Sequence, residues 1–251
     1  MVLNEQSLIK GFREVGLKPG DSVLVHSSLS SFGYVEGGAL AVINSLLKVV
    51  EDEGLIIVPT LTGKEEDSPK NPPKFDVRLT PCWTGKIPEI FRGLPQAKRS
   101  LHPTHSVAAI GNRRDDLING HETGKSPCDK KSPYYKNAIW DGYVMLIGVD
   151  QESNTTIHCI EEIANVPYHL QSEETSMYIT DYLNKKVLVR NRLHDWHKPP
   201  TNFNKLEPVF EHYNIIKKIT IGKSIIRLIK AKDMLNIGVD KLSSEPLFLL
   251  V

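Results

Sequence analysis

Tyr143-Val144-Met145-Leu146-Ile147-Gly148-Val149, then Asp150-Gln151-Glu152-Ser153-Asn154, then Thr155-Thr156-Ile157-His158-Cys159-Ile160-Glu161, is the passage whose reading decides the fold. The apolar run has strand length and reads as a buried strand, and the polar stretch after it reads as a turn. From Thr155 the apolar residues recur at helical spacing, with Asn154 or Thr155 as cap. On that helix His158 and Glu161 share one face. An imidazole three residues from a carboxylate is the layout of a general base with its own orienting partner. It is equally the layout of a polar helix face whose two side chains simply hydrogen-bond. Position favours the first reading, because the opening turn of a helix that follows a buried strand lies at the carboxyl edge of the sheet, where open α/β folds bind ligands.

Working outward, the same alternation continues. Leu8, Ile9, Phe12, Val15 and Leu17 have helical spacing, Lys18-Pro19-Gly20-Asp21 is a turn, and Val23-Leu24-Val25-His26 reads as a strand. Gly37-Gly38 precedes a helix over Ala39 to Val50, and Gly54 ends it before the strand Leu55-Ile56-Ile57-Val58, which makes a βαβ unit. Gly63 to Pro81, charged and holding Pro69, Pro72, Pro73 and Pro81, is expected to be a long exposed loop. A helix over Ile87 to Leu94, a strand over Val107 to Gly111 and a short helix over Arg113 to Ile118 follow. After Tyr168 the pattern changes to strands at Met177–Ile179, Lys186–Arg190, Ile216–Ile221 and Ser224–Leu228, then a helix from about Ala231. The expected class is α/β, with helices on both faces of a sheet over about 5–170 and an antiparallel, β-rich annex over about 171–251, all within a single domain spanning 1–251.

With 251 residues, 40% hydrophobic and 24% charged, the chain is long enough for a substantial core. Lys plus Arg (31) nearly balances Asp plus Glu (30), so no bulk field selects nucleic acid or an anionic membrane, and neither is an expected partner. Cys82, Cys128 and Cys159 are odd in number and widely spaced, which argues against a disulfide framework and a zinc ribbon and fits a reducing cytoplasm. The N-terminal residues lack a basic region followed by an apolar run, and no stretch reaches the roughly 18 apolar residues of a membrane helix. A soluble cytoplasmic protein is expected.

Two further constellations carry chemistry. Val25-His26-Ser27-Ser28-Leu29-Ser30-Ser31-Phe32-Gly33 leaves a strand through small hydroxyls toward Gly37-Gly38 and a helix; its amides can cradle a phosphate, or it is a structural turn. It matches neither the P-loop nor the dinucleotide fingerprint. Leu101-His102-Pro103-Thr104-His105-Ser106 and Leu193-His194-Asp195-Trp196-His197 are histidine clusters that, with His158 and Glu161, offer a zinc-hydrolase reading, although neither contains H-E-x-x-H. Cys159, one residue from His158, points about 100° away around the helix and is expected to face the core rather than act as a nucleophile.

In consistent order over about residues 5 to 170, Val25-His26-Ser27-Ser28-Leu29 with Gly33, Val35 and Gly37-Gly38, Arg99-Ser100-Leu101-His102-Pro103 with Ser106, Ser132-Pro133, Leu146-Ile147-Gly148-Val149 and Asn154-Thr155-Thr156-Ile157-His158 with Glu161 resemble the aminoglycoside 3-N-acetyltransferase family. The resemblance implies a three-layer α/β/α sandwich around a mixed sheet, transfer of an acetyl group from acetyl-coenzyme A to an aminoglycoside amine, no metal, and a homodimer. His158 matches the family's catalytic histidine. An ammonium with a pKa of about 10 is a poor nucleophile until a base removes its proton, so the chemistry is coherent. Glu161, or a carboxylate from the C-terminal annex, would orient the ring, and the Thr155 or Thr156 hydroxyl with nearby amides would meet the oxyanion. By the same resemblance His26, Ser27, Ser28, Leu29, His102 and Ser106 would hold coenzyme A. Glu65, beside Glu66 and Asp67, and Asp195 are the acids expected to meet a polycationic substrate, although Lys64, Lys70 and Lys74 share the Glu65 loop. Lys198-Pro199-Pro200 departs from the cysteine-rich or acidic continuation of some relatives. A coenzyme A-binding protein without turnover is the other alternative.

Overall fold

A computed structural model describes residues 2–251. In chain order the elements are α1 (Glu5–Val15), β1 (Ser22–Ser27), α2 (Gly38–Val50), β2 (Leu55–Pro59), β3 (Phe75–Asp76), α3 (Lys86–Arg92), β4 (Lys98–Arg99), β5 (Val107–Gly111), α4 (Arg114–Ile118), α5 (Pro133–Ile139), β6 (Tyr143–Ile147), α6 (Thr156–Ile163), β7 (Leu170–Thr180), β8 (Lys186–His194), α7 (Glu207–His212), β9 (Ile216–Ile221), β10 (Ser224–Lys230) and α8 (Ala231–Ser244). Local chemistry sets their ends. Asn4 and Ser7 form a reciprocal cap before α1, Gly16 closes it in the left-handed region, and Ser132 caps α5 with Pro133 in its first turn.

Seven strands form the central sheet in the order β4-β5-β2-β1-β6-β10-β9. The middle is parallel, β1 running with β2 and with β6, and the flanks are antiparallel. Alternate residues of one strand serve opposite layers. Val23 and Val25 of β1 join Met145 and Ile147 of β6 beneath α1 and α2, while Leu24, Val144 and Leu146 join Ile157 and Ile160 on the other face. Both faces are therefore sealed by helices, which is why β1, β2 and β6 read as continuous apolar runs. Each such fully buried aliphatic side chain contributes about 1.5–3 kcal/mol. This is the three-layer sandwich around a mixed sheet.

The C-terminal strands divide between two places. β7 and β8 form a long antiparallel hairpin with β3 alongside β7, and Phe75, Val77, Met177, Ile179, Val189 and Leu193 make its small core. β9 and β10, expected in the same annex, instead pair onto β6 and complete the central sheet. The reason is packing: Ile226, Leu228 and Ile229 supply the apolar surface that the open edge of β6 needs. The 63–81 segment is not simply exposed either, because Phe75 and Val77 are buried and the Arg99 guanidinium stacks over the Phe75 ring at 4.7 Å. Among the described residues no helix is long and apolar enough to cross a membrane.

Register fixes where a ligand can bind. Ser27 at the end of β1 lies beside Ile147 at the end of β6, and Pro59 at the end of β2 lies beside Val107 at the start of β5. The loops 101–106 and 148–155 thus emerge at one edge, at the carboxyl ends of the parallel strands. Gly148 is obligatory there: at φ +62° a Cβ would meet Ser31 Oγ at 1.8 Å.

Candidate active site

A cavity of about 570 Å³ opens at this edge. Val25, His26 and Ser27 of β1 form one wall, Thr104 and His105 another, and Val149 with residues 152–155 and His158 a third. The β7–β8 hairpin and the segment after it close the fourth side with His194, Trp196 and Lys198 through Thr201. Phe203 and Trp83 add aromatic surface.

The turn into α6 is pinned from behind. The Gln151 amide donates to Asn204 Oδ1, Asn154 Nδ2 donates to Gln151 Oε1, and the Thr156 amide donates to Asn154 Oδ1. Asn154 is thus the side-chain cap, and Thr155, nearly buried, lines the cavity. The Ile157 and His158 amides are taken by the Asn154 and Thr155 carbonyls. Those amides are not available to an oxyanion, and the Thr156 hydroxyl is buried away from the cavity. Of the expected donors, the Thr155 hydroxyl is the one on the cavity wall.

One turn into α6, His158 Nδ1 lies 2.7 Å from Glu161 Oε2. A carboxylate only accepts, so Nδ1 carries the hydrogen and Nε2 is the ring's free basic nitrogen. The His158 side chain is 15% exposed and Glu161 is fully buried. Burial pushes His158 down to about 4, against the opposing pull of Glu161, so the ring is neutral near pH 7. Burial alone would raise Glu161, but hydrogen bonds from His158 and His169 outweigh it and hold the carboxyl well below its ordinary value.

Glu161 is a hub, and sequence reasoning did not anticipate its other partners. His169, on the short turn before β7, places Nδ1 3.1 Å from Glu161 Oε2 and Nε2 3.5 Å from Glu162 Oε1. Burial would lower His169, but the two glutamates raise it above its ordinary value. Lys198 Nζ sits 3.8 Å from Glu161 Oε1. His158, His169 and His194 have donor atoms within 4.8 Å of one another. His169, however, turns both nitrogens toward carboxylates, Nδ1 to Glu161 and Nε2 to Glu162, so neither is aimed at a position shared with His158 and His194.

The other expected residues separate into two groups. His26 and Ser27 line the cavity, and His26 Nε2 and Ser27 Oγ are buried with no protein partner. Burial holds His26 down at about 3, so its ring is neutral. Ser28 and Leu29 follow at the margin without lining the cavity; the Ser28 amide is bound to Ile147 O, and Leu29 packs on the core. His102 and Ser106, expected to hold coenzyme A, are buried beneath the cavity and do not line it. His102 stacks on His121 at 4.5 Å and accepts the His105 amide on Nδ1, while Ser106 joins Thr60 and Arg99. Their neighbour His105 takes the place on the wall. Gly37 borders a different, shallow groove with Asn4 and Asn44, and neither Gly37 nor Gly38 lines this cavity. Glu65 and Asp195 line neither: they meet in an exposed groove with Glu66, Asp67, Glu173 and His197, because along this segment Trp196 faces the cavity and its two neighbours face outward. Cys159 is buried in the core, as its helix position implied.

The sequence profile of the aminoglycoside 3-N-acetyltransferase family matches residues 24–243. This chain belongs to that family. It is 37% identical over 182 residues to the SPbeta prophage-derived aminoglycoside N(3')-acetyltransferase-like protein YokD of Bacillus subtilis (strain 168), covering 65% of this chain and just under two thirds, 66%, of that protein. It is 30% identical over 251 residues to an aminoglycoside N(3)-acetyltransferase IV of a Salmonella species, covering 97% of this chain and 88% of that one. In structure it superposes on a mutant of the aminoglycoside acetyltransferase AAC(3)-IVa in complex with gentamicin, with a TM-score of 0.83, 27% identity, and 100% and 92% of the two chains covered.

Proposed function

We propose that this acetyltransferase-family chain moves the acetyl group of acetyl-coenzyme A to an amine of an aminoglycoside-type acceptor, with His158 as general base. The observation that carries the reading is the 2.7 Å bond from His158 to a fully buried Glu161, which leaves a neutral ring with a free Nε2 on the wall of a 570 Å³ cavity. Family membership supports the donor and the reaction, and the gentamicin complex of a relative supports the acceptor class.

The acceptor ammonium first loses one proton to solvent. The free amine then attacks the thioester carbonyl while His158 Nε2 takes a second proton from its nitrogen, the carbon–sulfur bond breaks, and the imidazolium passes that proton to the departing thiolate, so that amide, free thiol and one proton in solution are the products. Glu161, ionised and sealed from water, stabilises the transient imidazolium. The Thr155 hydroxyl is the oxyanion donor on the wall, worth about 3 kcal/mol in such a role. His26 Nε2 and Ser27 Oγ, the unsatisfied polar atoms of the opposite wall, suit the amides of a pantetheine arm. The groove of Glu65 and Asp195 is separate from this path, and a homodimer belongs to the same proposal.

Amine-dependent thiol release from acetyl-coenzyme A, run over an aminoglycoside panel from pH 6 to 9, tests the reading. Because His158 is held down at about 4, the rate is expected to follow deprotonation of the acceptor and not of the ring. No release with any panel member would overturn the acceptor class; acetyl-coenzyme A binding without release to any amine would leave a binding protein.

A further inference from the structure

Lys198 is a costly residue to place where it is. Its side chain is 10% exposed, and its Nζ is buried without a hydrogen-bond partner. The nearest countercharge is Glu161 Oε1 at 3.8 Å, which is itself buried and makes no hydrogen bond. The rings of Phe203 and Tyr168 flank the ammonium at 5.4 and 5.7 Å. Taking an ammonium out of water costs several kcal/mol, and such a group is retained only with strong compensation. Glu161 Oε2 already accepts from His158 Nδ1 and has His169 Nδ1 3.1 Å away, so its fold-level needs are met without a lysine.

We propose that Lys198 is a positioning residue of the base: its ammonium holds Glu161 ionised through the otherwise unmet Oε1 and offsets the carboxylate charge that would draw and keep a proton on His158. The inference rests on the reading of His158 as base. Around His158 lie Glu161 on its own helix, His169 ahead of β7, His194 at the end of β8, His105 before β5 and His26 at the end of β1. The other charges acting on Lys198 are Asp195 and Glu152. The two carboxylates beside His158 face cationic partners, Glu161 with His169 and Lys198 and Glu162 with His169. Without Lys198 one negative charge is left uncompensated within reach of the ring, and a base that holds its proton passes it slowly to the leaving thiolate.

The test is an imidazole titration of His158 by NMR on the full chain labelled at histidine, followed down to pH 5, in wild type, Lys198→Met and Lys198→Arg. At pH 5 the wild-type ring is expected to be about one-tenth protonated and the Lys198→Met ring about half, a shift of about one pH unit, with Lys198→Arg close to wild type. Should Lys198→Met fail to fold, Lys198→Gln carries the same expectation. An unchanged protonated fraction at pH 5 in a folded neutral variant, or an equal increase in Lys198→Arg, overturns the proposal. Thiol release separates this from the parent reading: if His158→Ala turns over normally while the protonated fraction still changes with Lys198, the base assignment falls and the charge coupling remains.

Discussion

His121 and His169 are both sealed from solvent, yet their surroundings drive them in opposite directions. His121 accepts the Ser100 hydroxyl on Nδ1 and donates from Nε2 to the Pro127 carbonyl, and burial holds it down at about 4. His169 faces two carboxylates, which overcome the same burial and raise it. The first belongs to a neutral network with His102 and Ser100 that ties the 101–106 loop to its neighbours. The second belongs to the charged hub under the cavity. Burial penalises charge in both places, and the partner decides whether charge persists. His158 lies between the two regimes, neutral as the first but bonded to the carboxylate of the second.

Acid should break the neutral network first. His26, His102, His105, His121, His158 and His194 are all held below the ordinary value of 6.5. The unfolded chain binds protons at these positions near pH 6.5 and the folded chain does not, so stability is full above that pH and falls as pH drops below it. Each such group contributes about 1.4 kcal/mol per pH unit, so several kcal/mol should disappear between pH 7 and 5. Glu161 adds loss at still lower pH, while His169, being raised, opposes the trend. Thermal unfolding across that range checks this; a Tm that is flat from pH 7 to 5 contradicts it.

The charged hub should fail next. Glu161→Gln leaves Lys198 without its nearest anion and His169 with Glu162 alone, an expected loss of about 3–5 kcal/mol in denaturant unfolding. Measuring at low and high pH sharpens the contrast, because a His169 held by one carboxylate instead of two gives up its proton more readily as pH rises and the penalty shrinks. His121→Ala, in the neutral network, removes partners from the Ser100 hydroxyl and the Pro127 carbonyl and should cost about 1–3 kcal/mol near pH 7 with the opposite pH dependence, the cost shrinking as pH falls below 6.5 because the depressed imidazole is gone.

These contrasts also mark what was legible in the sequence. A sheet with helices on both faces could be read because β1, β2 and β6 are apolar on both faces and α1, α2 and α6 have helical spacing; the three-layer sandwich came from the family resemblance. The pair His158 and Glu161 could be read because three residues on a helix is one face. His169 and Lys198 could not, since they approach Glu161 from two segments that only the fold brings back over α6. The same holds for the exchange of His102 for His105: neighbours on a loop, they differ only in which way the chain turns beneath the cavity. The fate of β9 and β10 was hidden because hairpin spacing says nothing about which sheet edge the hairpin meets. Ser132-Pro133 was a readable helix start whose helix, α5, went unassigned.

The smallest expected effects lie in the acidic groove. Glu65→Gln and Asp195→Asn should change stability by no more than about 0.5 kcal/mol and leave acetyl transfer within a few-fold of wild type, since neither side chain lines the cavity. A large rise in the acceptor KM would instead extend the substrate path across Trp196 into that groove.

The most direct measurement is amine-dependent thiol release by wild type and by His158→Ala, compared at pH 7.5 with both proteins folded by circular dichroism. The account predicts a loss of about 10²–10⁴-fold in kcat/KM with acetyl-coenzyme A binding retained. A His158→Ala protein that still transfers acetyl groups within a few-fold of wild type would contradict it.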